Sequence, residues 1–213
     1  MLLDSFWNRE RNRTIDAERV YLRYPVLEDW RQWSTVREIS RQHLVPWEPV
    51  WALDSLTRRN FRDRLRRYSA DAKADNGYAF FIFRKSDDQL LGSITLSNIR
   101  RGVSQTGTMG YWTGLPFVRN GYMLEAVCAL LPTLFEDYAL RRIEAACLVE
   151  NEPSANLLRK AGFTSEGLAR QYLCINGIWQ DHLLFAILKG DQIGQENSHN
   201  AALHKASGVT DLA

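Results

Sequence analysis

The sequence predicts an α+β protein, a single mixed α/β domain with the element order β-α-α-β-β-β-α-β-α-β-β. The stretch from Gly110 to Phe163 has the pattern of strand, glycine loop, helix, strand and second helix, which is a parallel unit with two helix N-termini. Three strand candidates precede it, and two apolar runs joined by Asn176-Gly177, a strong hairpin signal, follow it. With 213 residues, 45% of them hydrophobic, the chain can form one domain with a full core.

The first third of the chain predicts one strand and the first of two helices. Arg19 to Tyr24 alternates as a strand, and Glu28 to Ser40 has the period of a helix that buries Trp30 and Trp33. The two prolines of the segment Pro46 to Pro49 prevent this helix from continuing.

A second helix and three strands follow. Asp54 is an N-cap residue for a helix that runs to Ala72, and Asn76-Gly77 forms the turn after it. The three strand candidates are Tyr78 to Arg84, Gln89 to Ser97 and Thr106 to Gly114, with Ser86-Asp87-Asp88 between the first two.

A glycine-containing loop follows the third of these strands. Pro116 breaks the strand pattern, and Val118-Arg119-Asn120-Gly121-Tyr122-Met123 leads into the apolar helix Leu124 to Tyr138. The first turn of a helix has unpaired N–H groups and a positive dipole end, so such a loop can bind a phosphate, and Gly121 lets the backbone approach a bulky anion closely. The loop matches neither the GxGxxG nor the GxxxxGK[ST] pattern, so its signal is weak when taken alone.

The last elements complete the predicted sheet. Arg142 to Val149 is a buried strand, and Pro153 and Gly162 suit the first turn and the C-terminal stop of the next helix. The final strands are Phe163 to Ile175 and Ile178 to Leu188. We therefore expect an N-terminal extension at 1–14, a domain at 15–190 and a disordered tail at 191–213, which has no aromatic residue and is rich in Asn, Gln, Ser and Gly.

Charge gives one local signal. The formal net charge of +2 does not by itself indicate a polyanionic partner. Between Arg58 and Arg67, however, six of ten residues are arginine, and Phe61, Leu65 and Tyr68 recur at helical spacing. This pattern is typical of an amphipathic helix with its arginines in water, and the alternative is a weak contact with ribosomal RNA, which would be sensitive to salt.

The spacing of the cysteines and the hydropathy of the sequence argue against a metal-binding, disulfide-linked, secreted or membrane-spanning protein. Cys128, Cys147 and Cys174 lack CxxC spacing and lie in apolar runs, which predicts buried thiols and neither a metal site nor a disulfide framework. The first ten residues are too polar for a secretory leader, and no apolar run approaches the length of a membrane span. These observations predict a cytoplasmic enzyme.

The glycine loop and the segment after the next strand carry a family resemblance. Together with Asn151, Ser154, Asn156 and Lys160 to Phe163, the loop resembles the GNAT family of acetyl-coenzyme A dependent N-acetyltransferases. The residues Gly110 to Phe117 followed by Gly121 to Ala126 are similar to the RimJ/RimL branch, which acetylates the N-termini of ribosomal proteins. Three further segments agree, namely Ala17 to Arg23, His43 to Pro49 and Asn176 to His182.

The resemblance covers about residues 15 to 190 and implies a GNAT fold. In that fold the fourth and fifth strands of a single central mixed sheet splay apart and receive the pantetheine arm of acetyl-coenzyme A. The residues it assigns to the coenzyme are Tyr111, Trp112, Thr113, Val118, Arg119, Asn120, Gly121, Tyr122, Met123, Asn151, Asn156 and Lys160. The loop amides would bind the pyrophosphate, Asn151 the pantetheine amides, and Lys160 the adenosine phosphate unless it is simply exposed. Met123 stands where the family usually has Gly or Ala, which predicts a narrower loop.

Three groups are needed for acetyl transfer to an amine: one to hold the thioester, one to present a neutral amine, and one to protonate the departing thiolate. By resemblance, the Ser154 hydroxyl faces the coenzyme sulfur as general acid, and its alternative role is helix capping. Glu48, His182 and Glu125 are the candidate bases, although Glu125 suits its helix start better and a lone histidine is commonly a hydrogen-bonded core residue. A water relay would also suffice, because an α-amino group has a pKa near 8.

Substrate binding is expected at the loop between the first two helices and at the final hairpin, which flank the acceptor groove in this family. The residues concerned are His43, Trp47, Glu48, Trp51 and Tyr172. Glu48 can hold a protonated N-terminus and the indoles can exclude water, or Trp47 and Trp51 simply pack. The favoured hypothesis is a protein N-terminal acetyltransferase, monomeric or homodimeric. The alternatives are a small-amine acetyltransferase and a non-catalytic module that binds ribosome precursors through the arginine helix.

Overall fold

One eight-stranded sheet forms the centre of the molecule. The computed structural model describes residues 13–195, and all statements below concern this range. The strands are β1 (Thr14–Asp16), β2 (Val20–Arg23), β3 (Tyr78–Arg84), β4 (Leu90–Arg100), β5 (Thr106–Thr113), β6 (Arg142–Leu148), β7 (Thr164–Ile175) and β8 (Ile178–Leu188). Their order across the sheet is β1-β2-β3-β4-β5-β6-β8-β7. The helices are α1 (Trp30–Ile39), α2 (Arg41–Leu44), α3 (Arg58–Lys73), α4 (Tyr122–Glu136) and α5 (Glu152–Ala161).

The sheet divides between β5 and β6, its one parallel pair. These strands pair only where Thr106 to Thr108 faces Arg142 to Glu144. Beyond that point β5 pairs with β4 alone and β6 with β8 alone, so a gap opens between them. The predicted splay of the fourth and fifth strands is confirmed, although a short extra strand at the start makes them the fifth and sixth.

Alternating side chains of β3 place helices on both faces of the sheet. Phe81 and Phe83 point to one face, where they pack with Trp33 of α1 and Phe61 of α3. The residues between them point to the opposite face and join a larger core to which α4 and α5 contribute. The site described below therefore has α1 and α3 on one side and α4 and α5 on the other.

Two local predictions about the first half were wrong, and one short strand was not predicted. The N-cap of α3 is Thr57, whose hydroxyl oxygen accepts a hydrogen bond from the Asn60 N–H at 3.3 Å, and not Asp54. Trp30 is only half-buried: it packs against the edge of a core cluster, and its Nε1–H donates to the Leu56 carbonyl at 3.0 Å. The strand predicted at Arg19 to Tyr24 is confirmed as β2 (Val20–Arg23), and the short strand β1 (Thr14–Asp16) that precedes it was not predicted.

The end of the domain is extended by a few ordered residues. Of the predicted tail, residues 191–195 are described: Ile193 packs against the core, and the Gly194 N–H donates to the Ala161 carbonyl at 3.1 Å. Residues 1–12 and 196–213 lie outside the described range. No helix between residues 13 and 195 is long and apolar enough to cross a membrane.

The buried-thiol prediction was wrong for one cysteine. Cys147 is buried and Cys128 is half-buried, but Cys174 is exposed. Cys174 pairs with Trp179 in the outer part of the β7–β8 hairpin, whereas β6 contacts β8 only from His182 onward. The hairpin therefore projects past the sheet, and its apolar run is not covered.

Candidate active site

The glycine loop adopts the backbone conformation that its sequence predicts. Gly121 is the N-cap residue of α4 and has a left-handed backbone with φ of 79°. Arg119 is also left-handed, with φ of 61°. Within the described chain, the backbone N–H groups of Arg119 to Leu124 have no hydrogen-bond acceptor, and the first satisfied amide of the helix is that of Glu125, which donates to the Gly121 carbonyl. The loop therefore presents a row of free donors at a helix N-terminus.

The carboxylate of Glu125 on α4 holds a second cation, Arg19, beside this loop, in addition to Arg119 of the loop itself. Glu125 accepts hydrogen bonds from the Arg19 backbone N–H at 2.5 Å and from Arg19 Nε at 2.8 Å. Arg19 in turn donates through Nη1 to the Asn120 carbonyl at 3.1 Å and lies over the Tyr122 ring. Glu125 thus anchors the loop, in agreement with its predicted role at the helix start.

The bulky residue in the loop does not narrow it. Met123 is only 6% exposed and packs in the main core, so its side chain points away from the free amides. Farther along, Lys160 and Asn156 are exposed on α5, and the Asn156 amide oxygen accepts from Arg159 at 3.0 Å.

Ser154 lies in the first turn of α5, at the divergence of β5 and β6. Its Oγ lies 2.7 Å from the Tyr111 hydroxyl, which is also 3.3 Å from the Ser154 carbonyl oxygen. Burial raises the pKa of the Tyr111 phenol above its ordinary value, so the phenol remains protonated at neutral pH. If it donates to Ser154 Oγ, the serine proton is directed elsewhere. Capping is done by Asn151, whose Oδ1 accepts from the Ser154 N–H at 3.1 Å.

A buried thiol lies beside this hydroxyl pair. Burial raises the pKa of Cys147 on β6, while a hydrogen bond with Ser154 and the charge of Arg159 oppose this shift. The thiol therefore remains protonated at neutral pH and does not add a charge next to Ser154.

Both oxygens of Glu48 are already engaged by donors. Arg37 Nη1 and Nη2 donate to them at 2.8 and 2.6 Å, and Trp51 Nε1 donates at 2.8 Å. The Arg37 guanidinium, which is 8% exposed, lies 4.0 Å from the centre of the Trp51 ring and 4.9 Å from that of Trp112. Glu48 consequently holds a cationic and aromatic wall in place.

His182 is 3% exposed and lies on β8 opposite Leu148, at the end of β6. Its Nδ1 is 2.9 Å from the Gln180 carbonyl oxygen. A carbonyl only accepts, so Nδ1 donates this hydrogen bond, and Nε2 is the ring nitrogen that is left for another partner. The Tyr172 ring stands edge-on to the imidazole, with the ring centres 5.8 Å apart.

A groove runs over the sheet face that carries α1 and α3, and we call it the α3 groove. It consists of an inner cavity of about 580 Å³ and an outer cavity of about 620 Å³, which share Arg64, Tyr68 and Thr95. The inner cavity reaches Tyr111 and Trp112 and is bounded by the wall of Arg37, Glu48 and Trp51. The groove therefore leads to the residue whose hydroxyl contacts Ser154.

The structure brings together only part of the predicted acceptor site. Glu48 and Trp51 line the inner cavity, but His43, Trp47 and Tyr172 do not. Trp112, which was assigned to the coenzyme, also lines this cavity. His43 and Trp47 are half-buried, and Tyr172 is exposed on the hairpin.

Arg37 and Arg64 were not identified from the sequence as residues of the groove. Arg37 lies on the buried stripe of α1 formed by Trp33, Val36 and Ser40, and this spacing was a usable signal for an inward-facing cation. Arg64 belongs to the arginine run, but it stands three residues after Phe61 and four before Tyr68, and this spacing was a usable signal for an arginine on the apolar face of the helix.

The combination of a split sheet, a free-amide loop and a hydroxyl at the split defines the class of protein. The chain belongs to the acetyltransferase (GNAT) domain family, whose sequence profile matches residues 19–164. It is therefore an acetyltransferase, and the predicted fold and family are confirmed.

Its relatives are ribosomal-protein acetyltransferases of the RimJ/RimL type and similar enzymes. It is 34% identical over 177 residues to the probable N-acetyltransferase YjcK of Bacillus subtilis, covering 83% of this chain and 98% of the relative. It is 31% identical over 152 residues to the ribosomal protein uS5 alanine N-acetyltransferase of Escherichia coli, covering 71% and 78%. The structure of Mycobacterium smegmatis RimJ in complex with CoA-disulfide superimposes with a TM-score of 0.80 at 29% identity, covering 91% and 95%.

Proposed function

We propose that this enzyme transfers an acetyl group from acetyl-coenzyme A to the N-terminal α-amine of a protein, in particular a ribosomal protein. The observation that carries the proposal is that two separate clefts reach the same position of β5, Tyr111, whose side chain lies on the face opposite the α3 groove. The β5–β6 gap and the α3 groove both reach Tyr111, and Tyr111 contacts Ser154. Two substrates can therefore be held at once, as direct attack in a ternary complex requires.

The gap and the loop fit the coenzyme. Free amides from Arg119 to Leu124 suit a pyrophosphate, and Arg19 and Arg119 add positive charge nearby. Diverging strands leave main-chain groups of β5 unpaired toward the gap, where an amide-containing arm can bond to them. The Asn151 Nδ2 group adds a donor, since only its Oδ1 is used in capping. When bound, acetyl-coenzyme A supplies the thioester that is attacked.

Ser154 is the proposed general acid. A Tyr111 hydroxyl that donates to Ser154 Oγ leaves the serine proton free to point into the gap, where the departing sulfur would receive it. Burial raises the pKa of Tyr111, so the phenol keeps the proton that this hydrogen bond needs across the neutral range. Tyr111 then acts as a positioning residue.

The amine must lose a proton, and His182 is the proposed base, directly or through a water. Its Nδ1 is used toward the Gln180 carbonyl, which leaves Nε2 as the ring nitrogen that can take the proton. Glu48 is a weaker candidate because Arg37 and Trp51 occupy its oxygens, and we propose that it shapes the acceptor site. A water relay remains the alternative route for the proton.

Specificity for a peptide over a small polyamine is supported by the charge of the groove. Within the described chain, the inner cavity has Glu48 as its only carboxylate, and that carboxylate is neutralised by Arg37. A polycationic substrate would thus find an arginine-bearing groove, which opposes its binding. A small-amine acetyltransferase is therefore the less supported alternative.

A weak contact with the ribosome is a secondary part of the proposal. Arg58, Arg59, Arg62 and Arg67 are exposed on α3, and within the described chain none of them forms an ion pair. They can meet phosphates without first breaking a salt bridge. An enzyme that acts on ribosomal proteins in the cytoplasm would use such a surface, and the binding would fall steeply with salt.

The test is release of free coenzyme A from acetyl-coenzyme A in the presence of peptides that begin with Ala, Ser or Met. Each peptide contains one lysine, and a matched copy carries an N-terminal acetyl group. Release with the free peptide but not with the blocked copy supports the α-amine as acceptor. Equal release with both would identify the lysine side chain instead, and release with polyamines alone would overturn the proposal.

A further inference from the structure

A stripe of polar residues on α3 faces open space. Asn60, Arg64 and Tyr68, spaced four residues apart, line the α3 groove opposite Ser93 and Thr95 of β4. Helix positions that face a sheet are ordinarily apolar, as Phe61 of the same helix is where it meets Phe81. The polar stripe therefore points at the two cavities and does not pack on the strand.

The guanidinium of Arg64 has incomplete partners. Its Nη1 donates to the Tyr68 hydroxyl at 3.3 Å, and its Cζ lies 5.3 Å from the centre of the Trp33 ring. Its Nε is buried and has no hydrogen-bond acceptor within residues 13–195. In that range no carboxylate pairs with it either, including Asp71 of the outer cavity, whereas Arg37 has Glu48. A buried donor on an unpaired cation is unfavourable until an acceptor arrives.

A second unsatisfied donor lies in the same cavity. The Ser55 hydroxyl is buried without a partner among the described residues, and it lines the inner cavity with Asn60 and Arg64. Three groups that can donate hydrogen bonds thus converge on one region of the groove. An anionic oxygen acceptor is the group that completes all of them, because a neutral carbonyl would leave the guanidinium charge uncompensated.

The shape of the groove indicates an extended peptide. It follows β4 from Ser93 past Ser97, which is about 13 Å at roughly 3.3 Å per residue. Its inner end is at Tyr111, next to Ser154, and Arg64 stands where the two cavities join. An extended chain whose first residue lies at Tyr111 would bring one of its next few residues to Arg64.

We propose that Arg64, with Ser55 and Asn60, binds an acidic side chain of the acceptor close to its N-terminus, and that the enzyme thereby selects acceptors with Asp or Glu there. This inference rests on the proposed peptide acceptor and adds a specificity residue to it. The carboxylate supplies the negative charge that Arg64 lacks as a partner. Its two oxygens accept hydrogen bonds from Nε and Nη of the guanidinium.

The experiment compares peptide pairs that differ only by Glu or Gln at position 2, 3, 4 or 5. For the unaltered enzyme we expect Glu at one of these positions to raise kcat/KM about tenfold over Gln. Arg64→Gln should abolish this preference by lowering kcat/KM for the Glu peptide only. Arg66→Gln changes an exposed arginine of the same helix that lines neither cavity, and it should retain the preference. Arg64→Glu should reverse it in favour of a peptide with Lys at that position.

Two results would overturn the inference while leaving the proposed function intact. One is equal kcat/KM for Glu and Gln at every position with the unaltered enzyme. The other is an equal loss for both peptides in Arg64→Gln, which would give Arg64 a structural role only. If Arg64→Gln does not fold, Arg64→Lys, which keeps the charge without the fork, should show a reduced preference for Glu, and an unchanged preference counts against the inference. If no free peptide is acetylated at all, the proposed function fails and the inference with it.

Discussion

The two clefts that meet at Tyr111 differ in the groups that line them, since one presents mainly backbone groups and the other presents side chains. The coenzyme side, formed by the β5–β6 gap and the glycine loop, offers mainly backbone groups. The α3 groove offers side chains that are held by ion pairs and ring contacts, as in the wall of Arg37, Glu48 and Trp51. A backbone site depends on conformation, whereas a side-chain site depends on residue identity. Relatives can therefore share a coenzyme while differing in acceptor.

The largest expected effect is at the junction of the two clefts. Ser154→Ala should lower kcat by about 10² to 10³ without weakening coenzyme binding, because it removes a proton donor and leaves both clefts intact. Ser154→Thr, which restores a hydroxyl, should recover a measurable part of the loss. Steady-state kinetics and coenzyme titration measure the two effects. A rise in KM for the coenzyme with kcat unchanged would instead assign Ser154 to binding.

Conformation on the coenzyme side is tested by Gly121→Val. A β-branched residue is strained at φ of 79°, by about 2 kcal/mol, so the loop should lose its geometry and coenzyme affinity should fall about 30-fold. Gly102→Val is the matched control, since Gly102 is also left-handed with φ of 65° but has open space around it and lies far from the loop in sequence. Titration calorimetry compares the two. Equal losses of affinity would show that general destabilisation, and not the loop, is responsible.

Residue identity on the acceptor side is tested by Glu48→Gln. The change leaves the largely buried Arg37 without its carboxylate, which should cost about 2 kcal/mol of unfolding free energy and lower Tm by roughly 5 °C. Peptide KM should rise while coenzyme affinity is unchanged. Glu38→Gln breaks the exposed pair with Arg41 and should leave Tm nearly constant. An unchanged Tm in Glu48→Gln would contradict the role of the pair in holding the wall.

The smallest effect is expected for Tyr111→Phe. Losing the bond to Ser154 Oγ should lower kcat about fivefold, because the serine proton is then less well directed. The same change made in Ser154→Ala should have little further effect, since Tyr111 acts through Ser154. A double-mutant cycle on kcat measures this coupling. Additive losses would mean that Tyr111 contacts a substrate by itself.

The coenzyme side was the more predictable of the two because its determinants are local. Gly121 and Gly162 both have left-handed backbones at helix ends, and each was identified from its position in the chain. The two final strands were also predicted closely, because Asn176-Gly177 defines their turn. The splay itself came from the family resemblance and not from local pattern.

The acceptor side was less predictable because the facing of its side chains depends on tertiary packing. Arg64 faces inward since Phe61 fixes the rotation of α3 against Phe81, and that contact joins segments 20 residues apart in the chain. The N-cap of the same helix is Thr57 and not Asp54. Both residues suit a cap, so local propensity could not decide between them.

The segment after β8 has a consequence for the order in which the protein is completed during synthesis. A Cβ on Gly162 would lie 2.2 Å from the Gln192 carbonyl, and the Gly194 amide donates to the last residue of α5. The C-terminal end of the Ser154 helix is thus closed by residues made about 30 positions later. In addition, β8 lies between β6 and β7, so β7 joins the sheet only after β8 has been made. While the chain emerges from a ribosome, the Ser154 helix therefore stays unfastened at its C-terminal end until residues 192–194 have been made.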